Sequence, residues 1–337
     1  MENLEFVQLT PNVAGLSESN LCQIFRQLVR AYSKELDEHR NRVTPPEFIE
    51  KWIDSMIRMQ GESTRHLELC YADGACIGFL YGKIDQEGDS GFIKPGYGYA
   101  MEFYVKPAYR KNGYGTRMWK RLEALFLSHG AVRAYLTADP VTGRPFWEAM
   151  GFQNSGVQSP ENHLDIYEKD LLPSGMQKGK YSAKPVCENG APEVWRLYRE
   201  NLDALHGSLE ITQKDFADML KASWEGTDER NFLIYQNGAP VGWMKVNGLD
   251  NEDIGWISML VIAENYHQKG VGTFAVHFAE EYIRSAGKRK VGIHTTEDNI
   301  PARNLYTKCG YVVTEYGECT TGDGKSRMGY TFEKMME

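Results

Sequence analysis

Two short stretches of the chain combine glycines and polar residues at the same spacing, RKNGYG at residues 110–115 and HQKGVG at residues 267–272. Because glycine has no Cβ, the backbone N–H groups of such a turn can close around an anion. A helix that begins at the turn adds the positive end of its dipole. Each stretch is therefore predicted to form a pyrophosphate cradle. The residues predicted to form the two cradles are Arg110, Lys111, Asn112, Gly113, Tyr114, Gly115 and Thr116, and His267, Gln268, Lys269, Gly270, Val271, Gly272 and Thr273.

The elements that must position the two cradles also repeat. Apolar runs at 101–105 and 257–262 predict a strand before each cradle, and an amphipathic pattern predicts a helix after it. In each half a further glycine, Gly130 or Gly287, stands 17 residues beyond the first cradle glycine, where a helix C-terminus favours glycine. One such turn would be an ordinary strand-to-helix connection. The repeated spacing indicates that the chain has been duplicated.

The length of 337 residues is enough for two domains of roughly 150 residues each. Proline, serine and glycine residues after the first half indicate a linker. We predict a first domain at residues 1–173, a linker at 174–180 and a second domain at 181–337. Both halves carry a hairpin signal before the cradle, DGACIGFL at 73–80 and NGAPVGWM at 237–244, which supports the duplication.

Composition and charge exclude several classes of protein. With 42% apolar and 25% charged residues the chain is typical of a soluble globular protein, and no run approaches the ~20 apolar residues of a membrane span. The polar start MENLEFVQLT is unlike a signal peptide, so we expect a cytoplasmic protein. A net charge of −8 argues against a nucleic-acid partner and suits a cationic one. The six cysteines have neither a CxxC pair nor a metal-ligand spacing, so no disulfide frame and no metal site are predicted.

Periodicity predicts the remaining elements of each half. The acidic run Glu35 to Glu38 is interpreted as the solvated face of a helix. The predicted helices lie at 21–29, 47–59, 116–129, 192–205, 212–222 and 301–308, and the predicted strands at 3–10, 66–71, 76–83, 132–137, 163–171, 232–235, 241–246, 290–295 and 330–334.

The cradles, the strands before them and a later segment, NIPARNLYTKCGY at 299–311, together resemble the GNAT N-acetyltransferase superfamily. The resemblance covers nearly the whole chain as a tandem pair. It implies an α/β (α+β) fold with two GNAT-like domains, each a splayed mixed β-sheet flanked by helices. It also implies acetyl-CoA as the donor and direct acetyl transfer to an amine, without a covalent acyl-enzyme.

The resemblance assigns roles to further residues. A bulge in the strand before each cradle would free backbone N–H groups for the pantetheine arm and the thioester, at Phe103, Tyr104 and Val105 and at Leu260, Val261 and Ile262. Tyr306 would protonate the departing CoA thiolate, and the alternative is an aromatic residue on an apolar helix face that covers the sheet. Asn299 would contact pantetheine or cap a helix, and Ala302 would let the cofactor approach closely. Arg303 is either part of this site or a surface charge.

The first half departs from the family pattern. Trp147 stands where the second half has Tyr306, and an indole N–H is not a useful acid near neutral pH. Asp139 replaces the asparagine, and Pro145 is expected to disturb the helix. The first domain is therefore predicted to be catalytically doubtful, either binding CoA without turnover or serving as scaffold. In the second loop His267 replaces the usual glutamine or arginine, which should still permit binding because the backbone makes most of the contacts.

The acceptor amine must lose a proton before attack, since a primary ammonium has a pKa near 10.4. Candidate bases are Glu102, Glu297 and Asp298, each of which is otherwise a surface carboxylate, and transfer through ordered water is the alternative. His206 either lines the second acceptor cleft or is a structural histidine. The predicted function is N-acetylation of a small cationic amine, catalysed in the second domain. Acetylation of a protein or peptide amine and a non-catalytic acyl-CoA sensor are the alternatives, and a homodimer is left open.

Overall fold

The computed structural model describes residues 4–10, 19–61, 64–172, 177–187, 190–207, 211–250 and 253–336. The chain divides into two compact units, Met1–Leu171 and Leu172–Glu337. Of the predicted linker, residues 174–176 lie outside the described residues. The next two residues already form a short strand of the second unit, so the structured part of that unit begins before residue 181.

The first unit contains seven strands and four helices among its described residues: β1 (Leu4–Gln8), α1 (Asn20–Arg40), α2 (Pro46–Arg58), β2 (Arg65–Ala72), β3 (Ala75–Ile84), β4 (Gly98–Val105), α3 (Tyr114–Ser128), β5 (Arg133–Thr137), α4 (Arg144–Ala149), β6 (Gln153–Gln158) and β7 (Asp165–Asp170). The strands form one sheet in the order β1-β2-β3-β4-β5-β7-β6. In it β4 and β5 run parallel, while the other described neighbours are antiparallel, so the sheet is mixed.

The second unit repeats this order with one additional strand at the edge. Its described elements are β8 (Gln177–Lys178), β9 (Tyr181–Pro185), α5 (Ala191–Glu200), α6 (Gln213–Glu225), β10 (Arg230–Gln236), β11 (Ala239–Asn247), β12 (Ile254–Ile262), α7 (Val271–Ser285), β13 (Lys290–Thr296), α8 (Ile300–Lys308), β14 (Val312–Thr320) and β15 (Ser326–Met335). The sheet order is β14-β15-β13-β12-β11-β10-β9-β8, so β9 to β13 correspond to β1 to β5 of the first unit.

Both sheets splay at the strand that precedes the cradle. The pairing of β4 with β5 is confined to Gly98 and Tyr99, and that of β12 with β13 to residues 254–257. In each strand one residue, Met101 or Ser258, has no partner in the register with the preceding strand, which is the predicted bulge. The sequence-based expectation of two splayed mixed sheets is confirmed.

The repeated hairpin glycines hold the strands close together next to the cradles. A Cβ on Gly78 would lie 2.1 Å from the carbonyl oxygen of Tyr104, and one on Gly242 would lie 2.6 Å from that of Val261. Because real Cβ atoms do not approach backbone oxygens this closely, only glycine fits here. The shared motif therefore fixes the position of the strand end from which each cradle begins.

The helices cover the sheets with apolar faces. In the first unit α1 and α2 bury Phe25, Leu28 and Ile53 in one cluster with residues of β2 and β3. In the second unit α5 and α6 bury Leu197 and Phe216 against the sheet in the same way. The helices α3 and α7 both have 15 residues and both end just before a glycine with positive φ, as the spacing predicted.

Three features of the fold differ from the sequence-based expectation. Pro145 does not disturb a helix, because it lies in the first turn of α4, where the missing N–H has no acceptor to lose. The helix α1 runs on through the charged segment to Arg40. The strands β6, β8, β9 and β14 were not predicted. β6 and β14 are largely exposed and lack a long apolar run, and β8 has only two residues.

Candidate functional site

The two cradles have the same backbone conformation. Lys111 and Gly113 adopt positive φ values of 64° and 79°, and Gln268 and Gly270 adopt 57° and 85°. Gly113 and Gly270 are the N-caps of α3 and α7. The first N–H groups of an α-helix have no acceptor within the helix, so those at 114–116 and 271–273 are available to an anion.

The first residue of each cradle binds the last carbonyl of the strand before it. Arg110 donates from Nε to the carbonyl oxygen of Val105 at 2.8 Å, and His267 Nε2 lies 2.8 Å from that of Ile262. His267, which replaces the usual glutamine or arginine, therefore makes the same contact with the strand that Arg110 makes in the first unit. Lys111 and Lys269 are both exposed in the loops.

The second glycine of each cradle packs against the short helix that follows β5 or β13. A Cβ on Gly115 would lie 3.1 Å from the ring of Phe146, and one on Gly272 would lie 3.0 Å from Leu305. These contacts place α4 and α8 at equivalent positions. They also show that Trp147 and Tyr306, the residues that follow, correspond in the two units.

The first cradle opens onto a cavity of about 470 Å³. A Cβ at Gly113 would meet no atom within 4 Å, so the loop is accessible at its N-cap. The cavity brings together the first-unit residues that the sequence singled out on the loop and on β4. Its lining includes Phe103, Tyr104, Val105, Arg110, Lys111, Gly113, Gly115, Thr116, Phe146 and Trp147.

Glu102 lies on β4 next to the bulged Met101, between residues that line this cavity. Burial raises the pKa of Glu102 to about 8, although the nearby Tyr32 hydroxyl and the charge of Arg40 act in the opposite direction. At neutral pH this carboxyl group is therefore largely protonated. Met259 occupies the equivalent register position in β12, so the second unit has no such carboxylate.

Two carboxylates that line the cavity already have cationic partners. Glu35 binds Arg110 with two hydrogen bonds of 2.6 and 2.8 Å, so this residue is not the solvated surface charge that the sequence indicated. Asp139 lies 3.1 Å from Arg40 and accepts the N–H groups of residues 141 and 142. Asp139 thus caps a turn before α4, as Asn299 caps α8 by accepting the N–H of Ala302.

Tyr306 is buried in the second unit, with 6% of its surface exposed. Its ring centroid lies 5.8 Å from that of Phe332 and 6.3 Å from that of Tyr311. Burial raises the pKa of Tyr306, with a further rise from Cys309, so the phenol stays protonated at physiological pH. Trp147 packs in the first unit at 5.1 Å from Phe103, where it closes one side of the cavity.

The candidate bases Glu297 and Asp298 and the candidate cleft residue His206 lie near one another at the end of β13. His206 Nε2 lies 3.5 Å from Asp298 Oδ2 and 3.5 Å from the hydroxyl of Thr296. The Thr296 hydroxyl and then His206 lower the pKa of Asp298. Glu297 instead accepts a 2.7 Å hydrogen bond from Tyr316. Arg303 donates to the carbonyl oxygen of Glu297 at 2.8 Å, so it has a structural contact rather than a free surface position.

Comparison with known proteins identifies the origin of this arrangement. The model of the acetyltransferase (GNAT) family matches residues 25–152 and again 192–311, which together are most of the chain. The chain belongs to the GNAT acetyltransferase family.

Relatives of this GNAT protein include acetyltransferases that are named after a small molecule. A mycothiol acetyltransferase from Saccharomonospora viridis is 23% identical over 270 residues, which are 74% of this chain and 82% of that protein. A streptothricin acetyltransferase from Escherichia coli is 32% identical over 73 residues, 22% of this chain and 41% of that protein. The solved spermidine N-acetyltransferase from Vibrio cholerae, in complex with CoA and spermine, has a TM-score of 0.43 at 13% identity and covers 47% of this chain and 96% of its own.

As a GNAT acetyltransferase the protein is an acyltransferase that uses acetyl-CoA and acts on amines. The residues fit that donor, because both loops present helix N-termini and left-handed glycines, and the first opens onto the cavity. When bound, acetyl-CoA supplies the acetyl thioester. In each unit, the diphosphate of one acetyl-CoA would be held by the N–H groups of that unit's loop. The pantetheine arm would be held by the strand residues next to the bulge of the same unit.

Two residues that contact the candidate sites were not predicted from the sequence. Tyr32 reaches Glu102 from α1, and Tyr181 reaches the second loop from β9. Both contacts join segments that are distant in the chain, which a pattern along one sequence does not reveal.

All six cysteines, which lie in described segments, are free thiols. Among the described helices none is long and apolar enough to span a bilayer.

Proposed function

We propose that the protein transfers the acetyl group of acetyl-CoA directly to a primary amine on a small cationic molecule. The observation that supports this most is the arrangement found in both units, in which a glycine loop joins a bulged strand to a helix N-terminus. The names of two relatives, which refer to mycothiol and streptothricin, agree with a small-molecule acceptor. The net charge of −8 favours a cationic one.

In the second unit we assign the acid role to Tyr306. Transfer of the acetyl group leaves the sulfur of CoA as a thiolate, which gains from protonation. Tyr306 keeps a proton on its hydroxyl because burial raises its pKa. The helix that carries it packs on the second glycine of the loop through Leu305, so the phenol is held on a rigid element next to the donor site.

We assign removal of the amine proton to a different group in each unit. In the second unit His206 is the candidate, because an imidazole whose Nε2 lies 3.5 Å from Asp298 Oδ2 has its other ring nitrogen, Nδ1, to accept a proton. In the first unit the candidate is Glu102, whose pKa of about 8 means that the deprotonated fraction able to accept a proton rises as the pH goes from 7 to 8. The first unit is therefore proposed to bind the donor and to retain a base, although it lacks the tyrosine acid.

A thiol-release assay with acetyl-CoA and a panel of amines tests the function. The panel contains polyamines, amino sugars, amino acids and peptides with free N-termini. We expect release of CoA only with acceptors that carry at least one further positive charge. Release with the peptides alone would contradict a small-molecule acceptor, and CoA binding without release for any amine would contradict an acetyltransferase.

A further inference from the structure

Tyr181, on the strand β9, lies against the second glycine loop. Its hydroxyl donates a hydrogen bond to the carbonyl oxygen of Lys269. Its ring stacks on that of Phe274 in α7, with centroids 5.5 Å apart and planes inclined by 26°. A Cβ on Gly270 would lie 2.9 Å from the tyrosine hydroxyl, so the side chain fills the space beside the N-cap of α7.

This hydrogen bond fixes the orientation of one peptide group in the loop. The carbonyl of Lys269 and the N–H of Gly270 belong to the same planar, trans peptide and therefore point in opposite directions. Because Tyr181 holds the carbonyl, the N–H of Gly270 points away from the tyrosine. A peptide flip, which would turn the carbonyl oxygen toward an anion, would break the hydrogen bond to Tyr181.

The first unit provides an internal comparison. Leu4 pairs with Ala72 and Tyr181 pairs with Gln236, each the residue just before a two-residue hairpin turn, so Leu4 occupies the position of Tyr181. The leucine cannot donate a hydrogen bond, and no atom lies within 4 Å of a Cβ built on Gly113. The φ values of the two loops are nevertheless alike. The tyrosine is therefore not required to form the loop conformation, and its effect is to restrain it.

We propose that Tyr181 is a positioning residue that pre-organises the second loop to bind the diphosphate of CoA. A restrained loop loses less conformational entropy when it binds an anion than a free loop does, so it binds more tightly. The inference rests on the proposed function, because it takes the second loop as the diphosphate site. It assigns no chemistry to Tyr181, whose hydroxyl acts only through the peptide between Lys269 and Gly270.

The test compares Tyr181→Phe with wild type in the full chain, with the first loop blocked by Gly113→Trp so that only the second loop is measured. The phenylalanine keeps the ring that stacks on Phe274 and removes only the hydroxyl. Isothermal titration is carried out with CoA and with pantetheine, which lacks the diphosphate. We expect Tyr181→Phe to weaken CoA binding about fivefold and to leave pantetheine binding unchanged. Tyr235→Phe, which removes a hydroxyl from the neighbouring strand β10, is the control and should match the parent chain.

Equal affinity of Tyr181→Phe and its parent for CoA would overturn the positioning role while leaving the acetyltransferase function intact. An equal loss for CoA and pantetheine would overturn it too, because a general distortion of the unit would be the cause. Absence of CoA binding in the blocked parent chain would remove the second loop as a donor site and would overturn both the positioning role of Tyr181 and the acid role of Tyr306, while the acetyltransferase function would rest on the first unit. If Gly113→Trp does not fold, the titration is carried out in the chain without that substitution and fitted with two CoA sites. Tyr181→Phe should then weaken the affinity of only one of the two sites.

Discussion

Tyr32, on α1, lies close enough to Glu102, next to the bulge of β4, for each residue to shift the pKa of the other. The contact joins the helix that covers the sheet to the point where the sheet splays. It gives the first unit a titratable group with a raised pKa beside the cavity, at a position where the second unit has Met259. The two units thus share a donor loop but differ in the groups that can move a proton.

The raised pKa of Glu102 predicts how the stability of the first unit depends on pH. The folded state keeps the proton up to a pKa of about 8, whereas a glutamate ordinarily loses it near 4.5. Between these values the folded chain binds more protons than the unfolded chain, so stability falls as pH rises from 4.5 to 8. Glu102→Gln should remove this fall and be more stable than wild type above pH 8, by at most about 5 kcal/mol for a pKa that moves from 4.5 to about 8. At pH 4 the two chains should be alike.

Urea unfolding followed over this pH range measures the effect. The exposed Glu87→Gln is the matched control and should follow wild type. A midpoint for Glu102→Gln that falls with pH as steeply as that of wild type would show that Glu102 titrates normally.

The two loops predict two donor sites per chain. Their φ values agree closely, and both begin a 15-residue helix at a left-handed glycine. Isothermal titration with CoA should therefore give a stoichiometry of about two. Gly270→Trp and Gly113→Trp should each leave one site, because an indole would cover the loop that carries it. A single site that Gly270→Trp abolishes would make the first unit a scaffold.

Sequence alone predicted these loops well because their geometry is local. The pattern lies within about 30 residues and consists of an apolar run, glycines at fixed spacing and a helix. Because the chain is duplicated, the same pattern occurs twice in the sequence. The interpretation of Glu35 as a solvated charge was wrong for the opposite reason. Its partner, Arg110, is 75 residues away, and only the packing of α1 on the sheet brings them together.

The edges of the sheets were also hard to predict. β9 is short and only partly buried, so neither its length nor its apolar pattern distinguishes it from a loop. Tyr181 consequently had no visible role until the register placed it beside Gly270. Pro145 could be interpreted as a helix breaker because the start of α4 was uncertain, and a shift of one or two residues reverses its meaning.

His267 provides a test of the contact that anchors the second loop. Its Nε2 lies 2.8 Å from the carbonyl oxygen of Ile262, where Arg110 binds Val105 in the first unit. His267→Ala should weaken CoA binding at the second loop about fivefold, the loss expected for one hydrogen bond of about 1 kcal/mol. His267→Arg should restore wild-type affinity. Titration with CoA measures both, and an arginine variant as weak as the alanine variant would contradict the equivalence.

Tyr306→Phe tests the acid role in the second unit. The substitution keeps the ring against Phe332 and removes the hydroxyl that would protonate the departing thiolate. We expect the kcat of thiol release to fall by well over tenfold while the affinity for CoA hardly changes, because a lost acid acts on chemistry and not on donor binding. Tyr311→Phe removes a phenol from the same buried cluster and should keep most of the turnover.

A chain with Tyr306→Phe that still turns over at the wild-type rate would contradict the acid assignment. Turnover would then have to arise without that hydroxyl, and Glu102→Gln separates the remaining alternatives. If Glu102→Gln abolishes the residual activity, the first unit with its cavity is the active one, since Met259 leaves the second unit no carboxylate at that position. If the residual activity survives Glu102→Gln as well, neither side chain carries the chemistry, and water remains the route for the proton.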